Sequence, residues 1–150
     1  MSGSIWPKFR HVGIVVKDMT RQIEFYNQLG LVILSDEYEK REYINQLLNV
    51  KVDSLRVCKL GPDSGPICLE LLHFDLFEAK KNVVELNSLG FTHFAMGVGN
   101  VDEVYAENKR IIDFVSSPVD SPDGKARVLF CKDPEGNFVE LVTINEEKES

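Results

Sequence analysis

The feature that most constrains the fold is an internal repeat of secondary-structure signals along the chain. His11 and His93 each open a short segment rich in β-branched and aromatic residues, which is typical of a strand. Seven residues after each histidine comes a residue suited to cap a helix, Asp18 in one case and Asn100 in the other. Because three further short apolar segments follow in both halves, the order β-α-β-β-β occurs twice, as expected of a duplicated unit.

This repeat divides the chain into two modules joined by a connector. We predict a first βαβββ module over residues 1–76, a connector helix over 77–90, and a second βαβββ module over 91–150. The first module contains an additional amphipathic segment at 40–48, which suits a short helix or a lid. The fold class is therefore expected to be α+β.

Composition excludes several classes of partner. The chain has 150 residues, 43% of them hydrophobic, which is enough for a packed core. Its net charge of −7 argues against binding nucleic acid, because phosphate contacts require clustered lysine and arginine. The apolar runs fall well short of the roughly 20 residues that a membrane-spanning helix needs. Since residues 1–4 are polar and do not resemble a secretory signal, we expect a cytoplasmic protein that acts on a small molecule.

Four polar residues lie in otherwise apolar strand segments. Glu70 and Glu140 each lie in an apolar-Glu-Leu-apolar run near the end of a half, and His11 and His93 lie at its start. One interpretation is that each faces solvent from a half-exposed strand. The duplication favours another, since two equivalent histidines and two equivalent glutamates can meet at one centre. Two imidazoles and two carboxylates form a coherent site for a divalent metal ion.

Other residues with ligand chemistry are weaker candidates. Strand alternation places Glu70 on the same face as Cys68 and places His73 on the opposite face. Cys58, Cys68 and Cys131 are widely spaced, and the chain contains no Cys-x-x-Cys pair. We therefore interpret the three cysteines as ordinary core residues.

Several of these stretches match the pattern of a known superfamily in both order and spacing. They are His11-Val-Gly-Ile-Val-Val, Phe25-Tyr26, Leu29-Gly30-Leu31, Leu69-Glu70-Leu71, His93-Phe-Ala, Asp133-Pro-Glu-Gly-Asn and Val139-Glu140-Leu141. Over residues 8 to 144 the chain resembles the vicinal oxygen chelate superfamily, which includes glyoxalase I, methylmalonyl-CoA epimerase, extradiol dioxygenases and the fosfomycin and bleomycin resistance proteins. The Asp-Pro-x-Gly-Asn-x-x-Glu-Leu ending is the most specific of these motifs.

The resemblance implies a fold, a metal and a ligand set. The two modules would form a cupped, mixed eight-stranded sheet with the helices outside. His11, Glu70, His93 and Glu140 would hold a divalent ion, with Ni, Co, Zn, Mn and Fe all suited to such ligands. A homodimer is also implied, and the four ligands would come either from one chain or from both.

The second ligand position helps to choose an activity within the superfamily. Methylmalonyl-CoA epimerases generally carry glutamine there and extradiol dioxygenases have no ligand there, so Glu70 is more similar to the residue in glyoxalase I. We therefore expect a metal-dependent, glyoxalase-like lyase or isomerase that acts on a small carbonyl compound or thioester through an enediolate. Glu140 or Glu70 would be the catalytic base, and Asp53 is a third candidate.

Two departures and two alternatives remain. Many glyoxalase I sequences carry an arginine four residues after the first histidine, used to hold glutathione, and here that residue is Val15. The segment 37–52 has no counterpart in the shortest glyoxalases and would shape a different pocket. The alternatives on the same fold are a non-catalytic binding or resistance protein and an iron-dependent extradiol-type dioxygenase.

Overall fold

The computed structural model describes residues 7–75 and 83–145. The chain separates into two compact units, Met1–Ala79 and Lys80–Ser150, each with its own sheet. Among the described residues, no helix has both the length and the apolar character needed to cross a membrane.

The first unit contains a four-stranded mixed sheet and two helices. In the sheet β1 is parallel to β4, while β4 is antiparallel to β3 and β3 to β2, which gives the strand order β1-β4-β3-β2. The elements in chain order are β1 (Val12–Val15), α1 (Met19–Gln28), β2 (Val32–Glu39), α2 (Arg41–Leu48), β3 (Leu55–Gly61) and β4 (Leu69–Phe74).

Helix α1 begins where the sequence indicated. The side chain of Asp18 accepts a hydrogen bond from the backbone N–H of Arg21 at 3.1 Å, which satisfies one of the unpaired donors of the first turn. The helix buries Phe25 and Tyr26, and it packs against β2 and β4. Residues of strand β4 alternate between the buried face of the sheet and its less buried face.

Helix α2 forms within the segment that the sequence identified as a short helix or a lid. Its buried residue Ile44 packs in an apolar cluster with Val52, Leu55 and Val57, and Leu72 adds to the edge of this cluster. The loop after the helix is held because the side chain of Asn45 accepts a hydrogen bond from the N–H of Val52 at 3.0 Å. The segment therefore packs onto the sheet of its own unit.

The second unit contains a five-stranded mixed sheet and one described helix. Strand β5 is parallel to β9, and β8 is antiparallel to β9, β6 and β7, so the main order is β5-β9-β8-β6. The elements are β5 (His93–Gly97), α3 (Val101–Asn108), β6 (Asp113–Phe114), β7 (Val119–Asp120), β8 (Ala126–Lys132) and β9 (Phe138–Ile144).

The Asp-Pro-Glu-Gly-Asn motif is a hydrogen-bonded turn that sets the start of β9. Buried Asp133 accepts hydrogen bonds through Oδ1 from the N–H groups of Glu135 and Asn137, and through Oδ2 from the Asn137 amide. Gly136 adopts φ +88°, a conformation that residues with a Cβ rarely adopt. Because this turn fixes where β9 begins, it also fixes which face of the strand carries Glu140.

The structure confirms the α+β class and the sheet-and-helix composition, with one difference in the number of strands. The described strands number nine, in hydrogen-bonded sheets of four and five strands, whereas eight strands were expected. The extra strand arises because 111–120 contains two short strands, β6 and β7, that pair with different parts of β8.

The predicted connector helix over 77–90 is wrong for residues 83–90, which are irregular at 83–85 and form a turn and bends at 86–90, while 77–82 lie outside the described residues. The Ser88 hydroxyl accepts a hydrogen bond from the N–H of Glu85, and the Ser88 N–H donates to the Glu85 carbonyl. These local bonds compete with a helical ladder, and the β-branched Val83 and Val84 also disfavour a helix.

Candidate functional site

The first unit brings His11 and Glu70 together. Parallel pairing of β1 with β4 places Gly13 opposite Glu70, and His11, two residues before Gly13, lies on the same face. Nε2 of His11 lies 3.2 Å from Oε2 of Glu70. The two residues are 59 positions apart in the sequence, so the strand register alone makes them neighbours. We call this contact the His11–Glu70 pair.

The second unit builds the same arrangement from β5 and β9. Parallel pairing places Ala95 opposite Glu140, and His93 lies two residues before Ala95. Nε2 of His93 lies 3.4 Å from Oε2 of Glu140, and the hydroxyl of Thr92 lies 2.8 Å from Nδ1 of the same imidazole. A partner on Nδ1 orients the ring so that Nε2 faces the carboxylate. We call this contact the His93–Glu140 pair.

Both glutamates lie on the less buried face of their sheet. The neighbours Leu69 and Leu71, like Val139 and Leu141, are fully buried on the opposite face. The Glu70 and Glu140 side chains retain 18% and 24% of their exposure, so neither is a deeply buried charge. The solvent-facing interpretation is therefore partly right. We call the face that carries Glu70 or Glu140 the glutamate face of its sheet.

Each pair has the chemistry and spacing of two metal ligands. Two ligand atoms about 2.1 Å from a tetrahedral ion lie about 3.4 Å from each other. The observed His–Glu distances of 3.2 and 3.4 Å fit that separation. Over residues 7–75 and 83–145, however, no group of three or more His, Cys, Asp or Glu side chains is arranged to hold a metal ion. Each unit therefore supplies half of the predicted ligand set.

Two other predicted candidates occupy different positions. His73 lies on the face opposite Glu70, as strand alternation predicted, with Nδ1 3.0 Å from the carbonyl oxygen of Val16. Asp53 lies in the loop before β3, where its exposed carboxylate forms an ion pair with Arg41 at 3.2 Å. Asp53 is therefore a surface residue in an ion pair and does not lie on a strand beside Glu70.

The cysteines have the environment of core residues rather than of thiolate ligands. Burial raises the pKa of Cys58 to about 11 and that of Cys131 to about 12, because desolvation disfavours the charged form. Burial also raises the pKa of the Cys68 thiol. These directions support the interpretation of all three as packing residues.

These pKa values lead to a prediction for thiol reactivity. At pH 8, Cys58 and Cys131 should be alkylated by iodoacetamide at least ~100-fold more slowly in the native protein than in urea, because the thiolate is scarce and both side chains are buried. Mass spectrometry of time points, with the partly exposed Cys68 as the internal reference, measures the ratio. Equal rates in the two states would contradict the assignment.

The sequence interpretation missed one cation on the glutamate face of the first unit. Lys59 in β3 is paired in register with Glu70, and its Nζ lies 3.9 Å from Oε1 of that carboxylate. No sequence motif marks this lysine, because only the β3–β4 register brings it to Glu70. Val15, two residues after Gly13 on the same face, is an exposed apolar side chain.

Comparison with known proteins identifies a family whose model covers most of the chain. The model of the Glyoxalase/Bleomycin resistance protein/Dioxygenase superfamily matches residues 8–141. Among curated proteins, no significant match to the sequence is found.

Solved structures with the same fold include three from different organisms. A glyoxalase family protein from Bacillus cereus has a TM-score of 0.84 at 18% identity, covering 96% of this chain and 98% of that one. Leishmania major glyoxalase I, described as trypanothione-dependent, has a TM-score of 0.65 at 25% identity, covering 95% and 88%. A glyoxalase family protein from Enterococcus faecalis has a TM-score of 0.59 at 24% identity, covering 90% and 96%.

Proposed function

Because the chain belongs to the Glyoxalase/Bleomycin resistance protein/Dioxygenase superfamily, we propose that it is a metal-dependent lyase or isomerase that moves a proton next to a carbonyl group. The observation that carries this proposal is the repeated histidine–glutamate contact on neighbouring parallel strands. Two copies of that contact provide two imidazoles and two carboxylates, enough ligands for one divalent ion.

In this proposal His11, Glu70, His93 and Glu140 hold the ion, which is Ni, Co, Zn, Mn or Fe. When bound, a divalent ion polarises a carbonyl oxygen and favours loss of a proton from the adjacent carbon. The choice of metal is not determined by the donor set, since imidazole and carboxylate suit several ions. The proposal extends to a homodimer, in which the four ligands come from one chain or from two.

The glutamates have a second role, as the groups that move the proton. A carboxylate beside the reacting carbon accepts the proton and returns it to the neighbouring carbon, which converts one isomer to another without an external acid. Glu140 and Glu70 both have the partial exposure that access to a substrate requires. Thr92 assists by holding the imidazole of His93 in place.

A thiol co-substrate is not part of the proposal. The Leishmania major relative is described as trypanothione-dependent. At the position where many glyoxalase I sequences place an arginine, this chain has Val15, which is 49% exposed and offers no cation. We therefore propose a small carbonyl compound or thioester as the substrate class.

The proposal is tested by an activity screen on purified protein loaded separately with Ni, Co, Zn, Mn and Fe. The substrates are methylglyoxal with glutathione, acyl-CoA esters in deuterated water, and catechols with oxygen monitored. Solvent-deuterium incorporation into an acyl-CoA ester with any of the metals supports the proposal, whereas isomerisation of methylglyoxal that requires glutathione supports the metal-dependent reaction but contradicts the exclusion of a thiol co-substrate. Oxygen consumption with the iron form alone identifies a dioxygenase instead, and no turnover together with no metal uptake identifies a non-catalytic binding protein.

A further inference from the structure

The lysine beside Glu70 has a position that the duplicated ligand set does not explain. Antiparallel pairing of β3 with β4 places Lys59 directly opposite Glu70, so the two side chains leave the same face of the sheet. In the same register Val57 lies opposite Leu72, and both residues pack in the apolar cluster that contains Ile44 of α2. Lys59 therefore marks the border between the apolar part of the glutamate face and the His11–Glu70 pair.

The carboxylate of Glu70 lies between two nitrogen atoms. Oε2 lies 3.2 Å from Nε2 of His11, and Oε1 lies 3.9 Å from Nζ of Lys59. The Lys59 side chain is only 30% exposed, so its ammonium is held near the carboxylate rather than extended into water. The lysine compensates the charge of Glu70 when no other cation is bound there.

The second unit places an aromatic ring, not a lysine, opposite its glutamate. Opposite Glu140 in the β8–β9 register lies Phe130, whose ring makes an edge contact with His93 at a centroid distance of 4.9 Å. The histidine and glutamate are thus duplicated between the two units, whereas the neighbouring residue is Lys59 in one and Phe130 in the other. A feature present in only one half is not required by the duplicated pairs themselves.

Metal binding would leave this ammonium without its partner. If Glu70 held a divalent cation, the partly shielded ammonium of Lys59 would lie near a second positive charge. An anionic group bound beside the ion would pair with Lys59 and would also offset the repulsion between the ammonium and the ion. Resting on the proposed function, we propose that Lys59 binds a carboxylate of the substrate and so selects small carbonyl or hydroxyl compounds that carry a carboxylate next to the reacting carbon.

The short distance from Lys59 to Glu70 defines how far the anion can lie from the reacting group. An ammonium 3.9 Å from a proposed metal ligand would reach a carboxylate on the carbon adjacent to the coordinated oxygen, not one at the end of a long chain. The substrate class is therefore that of 2-oxo and 2-hydroxy carboxylates.

The chain offers a matched control for this lysine. Lys132 lies in β8 of the second unit, and its Nζ lies 3.9 Å from Oδ2 of Asp113, the same distance as in the Lys59–Glu70 contact. Its side chain is 40% exposed, and Asp113 does not belong to the proposed ligand set. Lys132→Met therefore removes a lysine, one ion pair and the contact of its ammonium with the Phe138 ring, without changing the surroundings of Glu70.

The test measures binding of two probes that differ in one charge. Wild type, Lys59→Met, Lys59→Arg and Lys132→Met are first titrated with Co²⁺, and the loaded proteins are then titrated with lactate and with neutral lactamide by calorimetry. We expect Lys59→Met to bind lactate about tenfold more weakly, with lactamide affinity changed less than about twofold. Lys59→Arg and Lys132→Met should keep the wild-type preference for lactate.

Each result decides a separate point. If all four proteins take up Co²⁺ and Lys59→Met keeps the wild-type lactate affinity, the role of Lys59 is wrong while the metal proposal stands. If wild type takes up no Co²⁺, the proposed function fails and the role of Lys59 fails with it. Circular dichroism identifies a variant that does not fold. Should Lys59→Met be unfolded, Lys59→Gln replaces it, with the same expected loss.

Discussion

Replacing Glu140 by glutamine is expected to lower turnover of the metal-loaded protein by about 10²- to 10⁴-fold, the range that a lost general acid or base typically produces. The amide keeps the size of the carboxylate but neither accepts the proton nor carries the negative charge that favours a divalent ion. Glu140 lies 3.4 Å from Nε2 of His93 and retains 24% exposure, so it has a proposed ligand as its neighbour and is open to a substrate. Initial rates at saturating metal and substrate measure the effect.

The matching change in the first unit separates the activities that the superfamily includes. If the protein is a lyase or isomerase of the proposed kind, Glu70→Gln should also reduce turnover strongly. An extradiol-type dioxygenase, which does not use this position as a ligand, should be affected little. Glu103→Gln, an exposed change in the first turn of α3, serves as the control. Wild-type activity in both Glu70→Gln and Glu140→Gln would contradict the assigned roles.

The second large effect concerns the strands that present the glutamates. Leu71 and Leu141 directly follow Glu70 and Glu140, and both are fully buried on the opposite face of their sheets. Truncating either to alanine leaves a cavity in a closely packed core, so we expect each change to lower the free energy of unfolding by about 2 to 5 kcal/mol. Urea denaturation of the metal-free protein, followed by circular dichroism, measures the loss.

An exposed leucine provides the comparison for this measurement. Leu47 in α2 is 60% exposed, and Leu47→Ala should change the free energy of unfolding by less than about 0.5 kcal/mol. A loss below about 1 kcal/mol in both Leu71→Ala and Leu141→Ala would show that these side chains are not in a packed core. The two glutamates would then have no buried neighbours to hold them on the opposite face of their strands.

Much of the fold follows from local signals in the sequence. The cap at Asp18 and the turn at Asp133 are local devices, formed by side chains that bond to backbone groups two to four residues away. Strand alternation likewise predicted that His73 lies on the other face of its strand from Glu70, without knowledge of which strands pair. Such features depend on short-range chemistry, so one sequence is enough to predict them.

Features that depend on competition or on register were not predictable in the same way. Residues 83–90 were predicted to be part of a helix, but hydrogen bonds between Glu85 and Ser88 favour a turn there. The contact of Lys59 with Glu70 requires the β3–β4 register, which pairs residues on either side of the link formed by residues 62–68. At Gly61, where that link begins, a Cβ atom would lie 2.3 Å from the carbonyl oxygen of Pro66, so only glycine fits. A one-residue change of register would move Lys59 to the other face.

The candidate ligands were identified because duplication converted four ordinary residues into a two-fold set. The structure contains one histidine–glutamate contact within each unit, at 3.2 and 3.4 Å. That both pairs bind the same ion stays a prediction. Binding of one ion by both pairs is what would distinguish a metal centre from two separate polar contacts.

Metal stoichiometry tests this joint use most directly. Metal-free protein is titrated with Co²⁺ by calorimetry, with the oligomeric state measured by light scattering, for wild type, His11→Ala and His93→Ala. We predict one Co²⁺ per chain in wild type and at least ~100-fold weaker binding in each variant, because each removes a ligand of the same ion. Absence of binding in wild type, or an affinity in either variant equal to that of wild type, would contradict a shared metal centre.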